Sequence, residues 1–586
     1  MKLPNVWGNG GQLFAFSGMD GETDVRDQLV GSSLDKGRGF VFHTNPAFEA
    51  KITLAKNGHE IDEVNTITDK IIAGDVVSSD MRIDDKNSVQ VRWAFKDATT
   101  LLIRADANAL TEPIEVTMCL NLPKDSFEAH DWALVNDKLV IAGGSNATVN
   151  AEDGRISAKL NAAGESTMFA LVYGQNVETA ARDAMQSDFD EIFRQRIEFY
   201  KSLPEPRATD DECMTLAKCA SVMKVNCLSP QGMTSLPWTT PDRWPHVHMW
   251  IWDSGFHGIG LRHFSQEWAE NAIKAVLSRQ HENGFIAHLM GVDIESKVIQ
   301  PPILSWAAWK VYETTGNLEF IRWCYPRLVK MIEFDINERD SDGNGLAGWD
   351  DGDASGMDNS PRFDGKVKDA IDLNAFLANE MTYLSRMAEL LGENNDWMPR
   401  RQGLVDLVNQ NLWDQETGFY YDNDPDGSLV KIKTCAGFAP MFAGICTKEQ
   451  AKCLVDHLMN PEEFWRPFPI ASVAADEPTY CDNMWRGPSW INYNYFVIYG
   501  LLDYGYTDIA KELCRRTLDE IVRWYKEDGL TYEYYDAEQS VSPVMLHRKK
   551  TGGPEARRSN AMATLICDYN WTASLYIDLL LNRIDL

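Results

Sequence analysis

Positive charge is scarce in this chain: 56 Lys and Arg stand against 87 Asp and Glu among 586 residues, a net charge of −31. Such a field repels a phosphate backbone and argues against nucleic acid as a partner. Long apolar runs are also missing, so no segment reads as a membrane span and no membrane partner is expected. The opening stretch Met1-Lys2-Leu3-Pro4-Asn5-Val6-Trp7-Gly8 has neither the apolar region nor the small-residue cleavage site of a secretory leader, and a cytoplasmic location is expected. Cysteine is sparse and unpatterned. Eleven residues include no Cys-x-x-Cys pair, and Cys213 and Cys219 fall inside helical patterns. Reduced, buried thiols therefore fit better than disulfides, zinc or redox chemistry. What the chain does have is apolar and aromatic material, 44% hydrophobic with 19 Trp, 19 Tyr and 24 Phe, which excludes global disorder. Its length suits about four small domains or two large ones.

The hydrophobic period divides the chain. From Gln12 to about Val172 short alternating runs such as Val89-Gln90-Val91-Arg92-Trp93 are punctuated by Asn-Gly, Asp-Gly and Gly-Gly turns, the pattern of an antiparallel β-sandwich. A helical stretch over 177–203 ends at Pro204-Glu205-Pro206-Arg207, where two prolines remove backbone donors. This predicts a sandwich domain over 1–175, a helical linker over 176–207 and a helical domain over 208–586. Beyond Ala208 the period is about 3.6, with twelve helices expected from 208–227 to 559–582. Twelve helices in antiparallel succession close as six hairpins into an (α/α)6 toroid, whose inner helices direct their loops to one mouth.

Acidic and aromatic residues concentrate in those loops. Gly348 to Arg362 is dense in Asp and Gly around Asp358, and Glu533 lies 175 positions later in Tyr532-Glu533-Tyr534-Tyr535-Asp536. Inverting hydrolysis of a glycosidic bond takes one carboxylic acid to protonate the leaving oxygen and one carboxylate to activate water. Three further segments place aromatic and amide groups at helix ends: Trp252, Asp253 and Phe256; Gln300-Pro301-Pro302; and Trp485, Gly487 and Trp490. Sugars present C–H faces to aromatic rings and hydroxyls to Asp, Gln or Arg. For any one Trp, core packing is the better explanation; for Glu533 alone, an exposed strand position explains as much.

In their joint order these segments, with Ser355-Gly356-Met357-Asp358-Asn359-Ser360-Pro361 and Glu533-Tyr534-Tyr535, resemble the (α/α)6 catalytic domain of glycoside hydrolase family 63 and the mannosylglycerate hydrolase-like enzymes, from about Ala208 to Leu586. The resemblance implies an inverting α-glycosidase with Asp358 as general acid and Glu533 as general base. It also implies a pocket of Trp252, Asp253, Phe256, Gln300, Gly356, Trp485, Gly487 and Trp490. The family's base lies in a His-Glu-Asn-Tyr-like segment, whereas Tyr532 and Tyr534 flank Glu533 here. An α-glucosidase acting on a small α-linked oligosaccharide or glycoside is expected, with no cofactor needed for the chemistry. The alternatives are an inverting disaccharide phosphorylase, which needs only the acid, and a non-catalytic carbohydrate-binding protein.

Two motifs stand apart. Asp340-Ser341-Asp342-Gly343-Asn344-Gly345-Leu346 spaces Asp340, Asp342, Asn344 and the Leu346 carbonyl as in a calcium loop, with Asp351 at the twelfth position; it fits equally an Asp/Gly turn held by its own side chains. His547-Arg548-Lys549-Lys550 is a basic run in an acidic chain, suited to a solvated loop or to holding phosphate or an anionic substrate group.

Overall fold

The computed structural model describes residues 2–34, 39–61, 65–121, 127–150, 154–549, 551–552 and 566–582. The chain forms two compact units, Met1–Ser229 with Trp524–Leu530, and Pro230–Arg523 with Thr531–Leu586.

The first unit is built on two antiparallel sheets. One runs Leu13–Ala15, Val30–Leu34, Gly39–Phe42, Phe48–Lys56, Ile114–Asn121, Arg155–Leu160 and Ala147–Asn150, with His59–Glu60 folded back on Phe48–Lys56. The other runs Glu128–His130, Ala133–Val135, Leu139–Gly143, Ser166–Tyr173, Thr100–Ala109, Ser88–Asp97, Val76–Arg82 and Asn65–Ile72. Side chains alternate across a strand, so Val89, Val91, Trp93 and Phe95 all enter one core, where Phe14 and Phe40 stack at 4.3 Å. Three helices follow: α1 (Val177–Met185), α2 (Phe189–Lys201) and α3 (Asp210–Val225). The single helical stretch expected over 177–203 is broken because the Asp188 side chain accepts from Glu191 N and starts a new helix. The first unit extends past the Pro204–Arg207 segment and takes in α3, which the sequence pattern groups with the helical region.

The second unit holds α4 (Ile251–Leu261), α5 (Gln266–Ser278), α6 (Leu304–Thr315), α7 (Leu318–Glu338), the single-turn α8 (Gly352–Ser355), α9 (Ile371–Leu391), α10 (Trp397–Asn411), α11 (Ala439–Phe442), α12 (Lys448–Leu458), α13 (Ile491–Asp503), most of α14 (Thr507–Asp528) and α15 (Asn570–Leu581). Each of the twelve expected helices has an observed counterpart. The expected start of the last one, 559–565, lies outside the described residues. Helices α4, α6, α9, α11, α13 and α15 each pack on the next, and α15 packs back on α4, which closes the inner ring of an (α/α)6 toroid. The inner position leaves no face for water: every residue of α4 and of α15 up to Leu580 is buried, polar ones such as Asp253 and Asp578 included. Some inner contacts are polar: the Tyr495 hydroxyl of α13 donates to Asp578 of α15 at 2.6 Å. Glu380 of α9 accepts from Ser305 N at 2.6 Å and from Trp306 N at 2.9 Å, satisfying two open donors at the start of α6. No described helix is long and apolar enough to cross a membrane.

Candidate active site

The segments that lead into inner helices meet around a cavity of about 180 Å³ within the second unit. Trp252 and Asp253 come from the first turn of α4, and Trp252 N is held by Gln300 Oε1 at 3.0 Å, which ties the entry to α6 onto the entry to α4. Gly356 caps α8 with φ +72; a Cβ there would lie 2.9 Å from the Trp252 ring, so only glycine lets this backbone rest on the indole. Asp358 follows. Trp485 and Trp490 precede α13 and stack at 3.7 Å with 5° between their planes; Trp571, in the first turn of α15, meets both Trp490 and Trp252 edge to face. Glu533 lies between α14 and α15, and its backbone N–H donates to Ile566 O.

Asp358 and Glu533 both line the cavity. Their settings differ. Glu533, with its side chain 3% exposed, takes a fork from Arg548, Nε to Oε2 at 3.1 Å and a terminal nitrogen to Oε1 at 3.3 Å. Burial works against the Arg548 charge, but Glu533 outweighs it and holds the guanidinium above its usual pKa. Asp358 is 21% exposed and pairs with Lys549 Nζ at 2.9 Å. Burial likewise works against the Lys549 ammonium, and Asp358 raises it. Adjacent residues of the basic run thus engage the two carboxylates; Lys550 lies outside the described residues. Asn359 clasps the acidic loop to the aromatic one: its Oδ1 accepts from Trp485 N at 2.9 Å, its Nδ2 donates to Asn483 O at 3.1 Å, and its carbonyl accepts from Arg486 Nε at 2.8 Å.

A third carboxyl, Asp253, lines the cavity and is driven well above the usual carboxylate range, by burial first and by the Glu533 charge in addition; the Tyr569 hydroxyl donates to it at 3.4 Å. The indole Nε1–H of Trp485 is buried with no hydrogen-bond partner among the described residues, an open donor on a residue that lines the cavity.

Of the residues singled out from the sequence, Asp358, Glu533, Trp252, Asp253, Gln300, Gly356, Trp485 and Trp490 line the cavity. Phe256 and Gly487 do not. Phe256 lies one layer beneath, packed on Trp252, Trp306 and Phe496. Gly487 shapes the turn before Trp490: its N–H donates to Ser472 Oγ, and a Cβ would meet Cys481 O at 2.1 Å. Trp250, which opens the segment leading to Trp252, lines the cavity too, and Pro241, His246, His288, Tyr569 and Trp571, which were not singled out, join it. Tyr569-Asn570-Trp571 repeats the pattern of aromatic residues at an inner-helix start that marks the other segments, and that signal was available.

The residues of the expected calcium loop do not fit an ion as arranged. Asp340 accepts from Gly343 N, Asn344 N and Gly345 N, Asn344 Oδ1 accepts from Leu346 N, and the Lys368 ammonium lies 3.0 Å from Asp342. Asp351 is turned away as the cap of α8, accepting from Ala354 N. Among the described residues no group of three or more His, Cys, Asp or Glu side chains is arranged to hold a metal. The Asp/Gly turn is what the geometry supports.

Residues 246–542 match a family model described as the mannosylglycerate hydrolase MGH1-like glycoside hydrolase domain. A protein of Borreliella burgdorferi is 29% identical over 286 residues, the match spanning 47% of this chain and 59% of that relative's length. A mannosylglycerate hydrolase of Thermus thermophilus is 26% identical over 391 residues, covering 51% of this chain and 91% of the relative; one from Rubrobacter radiotolerans is 23% identical, covering 51% and 88%. Among solved structures, a GH63 mannosylglycerate hydrolase from Thermus thermophilus in complex with glucose superposes with a TM-score of 0.51 at 24% identity, over 62% of this chain and 99% of that one. At that identity the likeness supports the toroid fold.

Proposed function

Because the chain belongs to the mannosylglycerate hydrolase MGH1-like glycoside hydrolase family, we propose that it hydrolyses a small α-glycoside with inversion, Asp358 acting as acid and Glu533 as base. The observation that carries this reading is the convergence of both carboxylates on one small cavity floored by Trp252, Trp490 and Trp571. In the reaction, a water oxygen forms a bond to the anomeric carbon while its proton passes to Glu533. The bond to the leaving oxygen breaks as Asp358 supplies that oxygen's proton, and the configuration inverts. Arg548 fixes how the Glu533 carboxylate is presented. Lys549 Nζ contacts Oδ2 of Asp358, which leaves Oδ1 to face the leaving oxygen. Asp253 and the open Trp485 N–H are suited to sugar hydroxyls.

The small cavity supports a single hexosyl unit. A small α-glucoside is the substrate that the family resemblance implies. α-Mannosylglycerate is the second reading, supported by what the relatives act on by name and by a cavity-lining ammonium at Lys549. Phosphorolysis has less support, since the Arg548 fork is taken up by Glu533. The test is a panel of α-glucosides and α-mannosides, mannosylglycerate included, with the product anomer read by NMR. A β-sugar released first, without added phosphate, is expected. An α-sugar product, or strict dependence on phosphate, would overturn the proposal. Glu533→Gln should lower turnover by roughly 10²–10⁴ while sugar binding persists. Azide should partly restore a Glu533→Ala variant on an activated substrate.

A further inference from the structure

The loop that carries Asp358 is gripped near both ends by one buried carboxylate. Asp372, in the first turn of α9, accepts from the Trp349 indole Nε1–H at 2.8 Å, near the start of the Gly348–Arg362 segment. At the end of that segment it takes the Arg362 guanidinium, Nη1 to Oδ1 at 3.0 Å and Nη2 to Oδ2. Arg362 Nη1 also donates to both oxygens of Asp422 at 3.2 Å, and Asp422 Oδ1 accepts from Ile371 N at 2.8 Å, so the second carboxylate is itself fixed to the start of α9. Arg362, Asp372 and Asp422 are all buried, and none of the three lines the cavity.

Stability does not account for this triad. Two carboxylates share one guanidinium away from water, and Arg362 Nε is buried with no hydrogen-bond partner among the described residues. Burial works against the Arg362 charge, and Asp372 and Asp422 outweigh it. Replacing such a buried ion group by apolar side chains of similar volume is often neutral or stabilising, so its presence points to geometry. That geometry reaches Asp358 by a short, stiff path. Ser360 N donates to Met357 O at 2.9 Å and Phe363 N to Ser360 O at 3.1 Å, two successive turns with Pro361 in the second, so a shift at Arg362 carries Asp358 with it. From α13 the Tyr493 hydroxyl meets Met357 Sδ at 3.4 Å, next to the acid. The loop has no slack on its other side, where a Cβ on Gly352 would meet Asp358 O at 2.6 Å.

We propose that Asp372, holding Trp349 and Arg362 with the help of Asp422, is the positioning anchor of the general acid: one carboxylate ties both ends of the Gly348–Arg362 loop to α9 and sets where Asp358 stands. This rests on the hydrolase reading above, with Asp358 as acid. A misplaced acid is felt where the leaving group needs a proton, whereas a loss of folded enzyme lowers all substrates alike. The test uses two small probes of one sugar: the α-glycosyl fluoride, which departs with little help from an acid, and the methyl α-glycoside, which does not. In Asp372→Asn and Arg362→Lys, kcat/KM on the methyl glycoside should fall at least tenfold more than on the fluoride, with the loss in kcat. Asp358→Asn sets the limit of that contrast, and adding Asp372→Asn to it should not widen the contrast further. Trp349→Phe, which removes the indole N–H and keeps an aromatic ring, should show a smaller loss in the same direction, and it carries the comparison if neither ion variant folds. Equal losses on the two probes, in variants that melt like the parent and with Asp358→Asn still separating the probes, would overturn the anchor. If Asp358→Asn separates nothing, or the parent cleaves neither probe as glucoside or mannoside, the acid assignment itself falls, and the anchor with it.

Discussion

At Glu380 one carboxylate closes the start of a neighbouring helix, and its position sets a proton balance. Burial raises its pKa from the ordinary 4.5 to about 7, against the two backbone N–H donors that favour its charge. The folded state therefore binds this proton more tightly than the unfolded chain. Its contribution is fully present below about 4.5 and is lost as pH rises toward about 7, on the order of 3 kcal/mol over that window. Urea unfolding at pH 5 and pH 8 checks this: Glu380→Gln should flatten the fall in stability that the parent shows. A parent whose stability rises across the same interval, with an unchanged slope in the variant, would contradict it. No sequence pattern points to Glu380. It lies in an apolar stretch of α9 and reads there as an outward residue, because the helix whose amides it satisfies begins 76 positions earlier.

Loops were legible in part. Asp-Gly richness located the acidic segment, and the order of aromatic segments located the cavity. Phe256 and Gly487 show where that reading stops: a motif records which residues stay together, and the layer beneath a pocket stays together with its lining. His288 was missed for the opposite reason: it precedes the two-residue strand Leu289–Met290, too short to leave a periodic signal. The Asp340–Leu346 loop shows a third case. Its spacing suits an ion, yet Lys368, 26 positions away from Asp342, supplies the positive charge. Excess chelator should leave the melting temperature unchanged, with elemental analysis confirming that metal is gone. A drop that calcium restores and magnesium does not would reinstate the ion, because a ligand bound only by the folded state stabilises by mass action. Lys368→Ala should lower stability by about 1 kcal/mol or less, the range of a partly exposed pair.

Across the whole molecule the alternation of β runs, the change of period near Ala208 and the count of twelve helices were enough for the two architectures. The second unit's inner ring explains why: helices with little solvent face lack the exposed polar stripe of their amphipathic neighbours. A net charge of −31 spread over both units opposes compaction through self-repulsion. Raising salt from about 0.01 M to about 0.1 M shortens the screening length from about 30 Å to about 10 Å. The melting temperature should rise over that range, and a fall would mean that the surface ion pairs outweigh the repulsion.

The first unit draws on two distant stretches of the chain. Asn9 N donates to Asp528 O at 2.8 Å, Asn5 N to the Tyr525 hydroxyl at 2.9 Å, and Gly529 leaves no room for a side chain against the Trp7 backbone. During synthesis the sandwich strands emerge long before Trp524–Leu530 leaves the ribosome. At usual elongation speeds of about 5–20 residues per second the gap between the Asn5–Asn9 segment and Trp524 is roughly 25–100 s. For that interval the Asn5 and Asn9 amides wait without the Tyr525 hydroxyl and the Asp528 carbonyl that accept from them, and the segment stays open to chaperones and proteases.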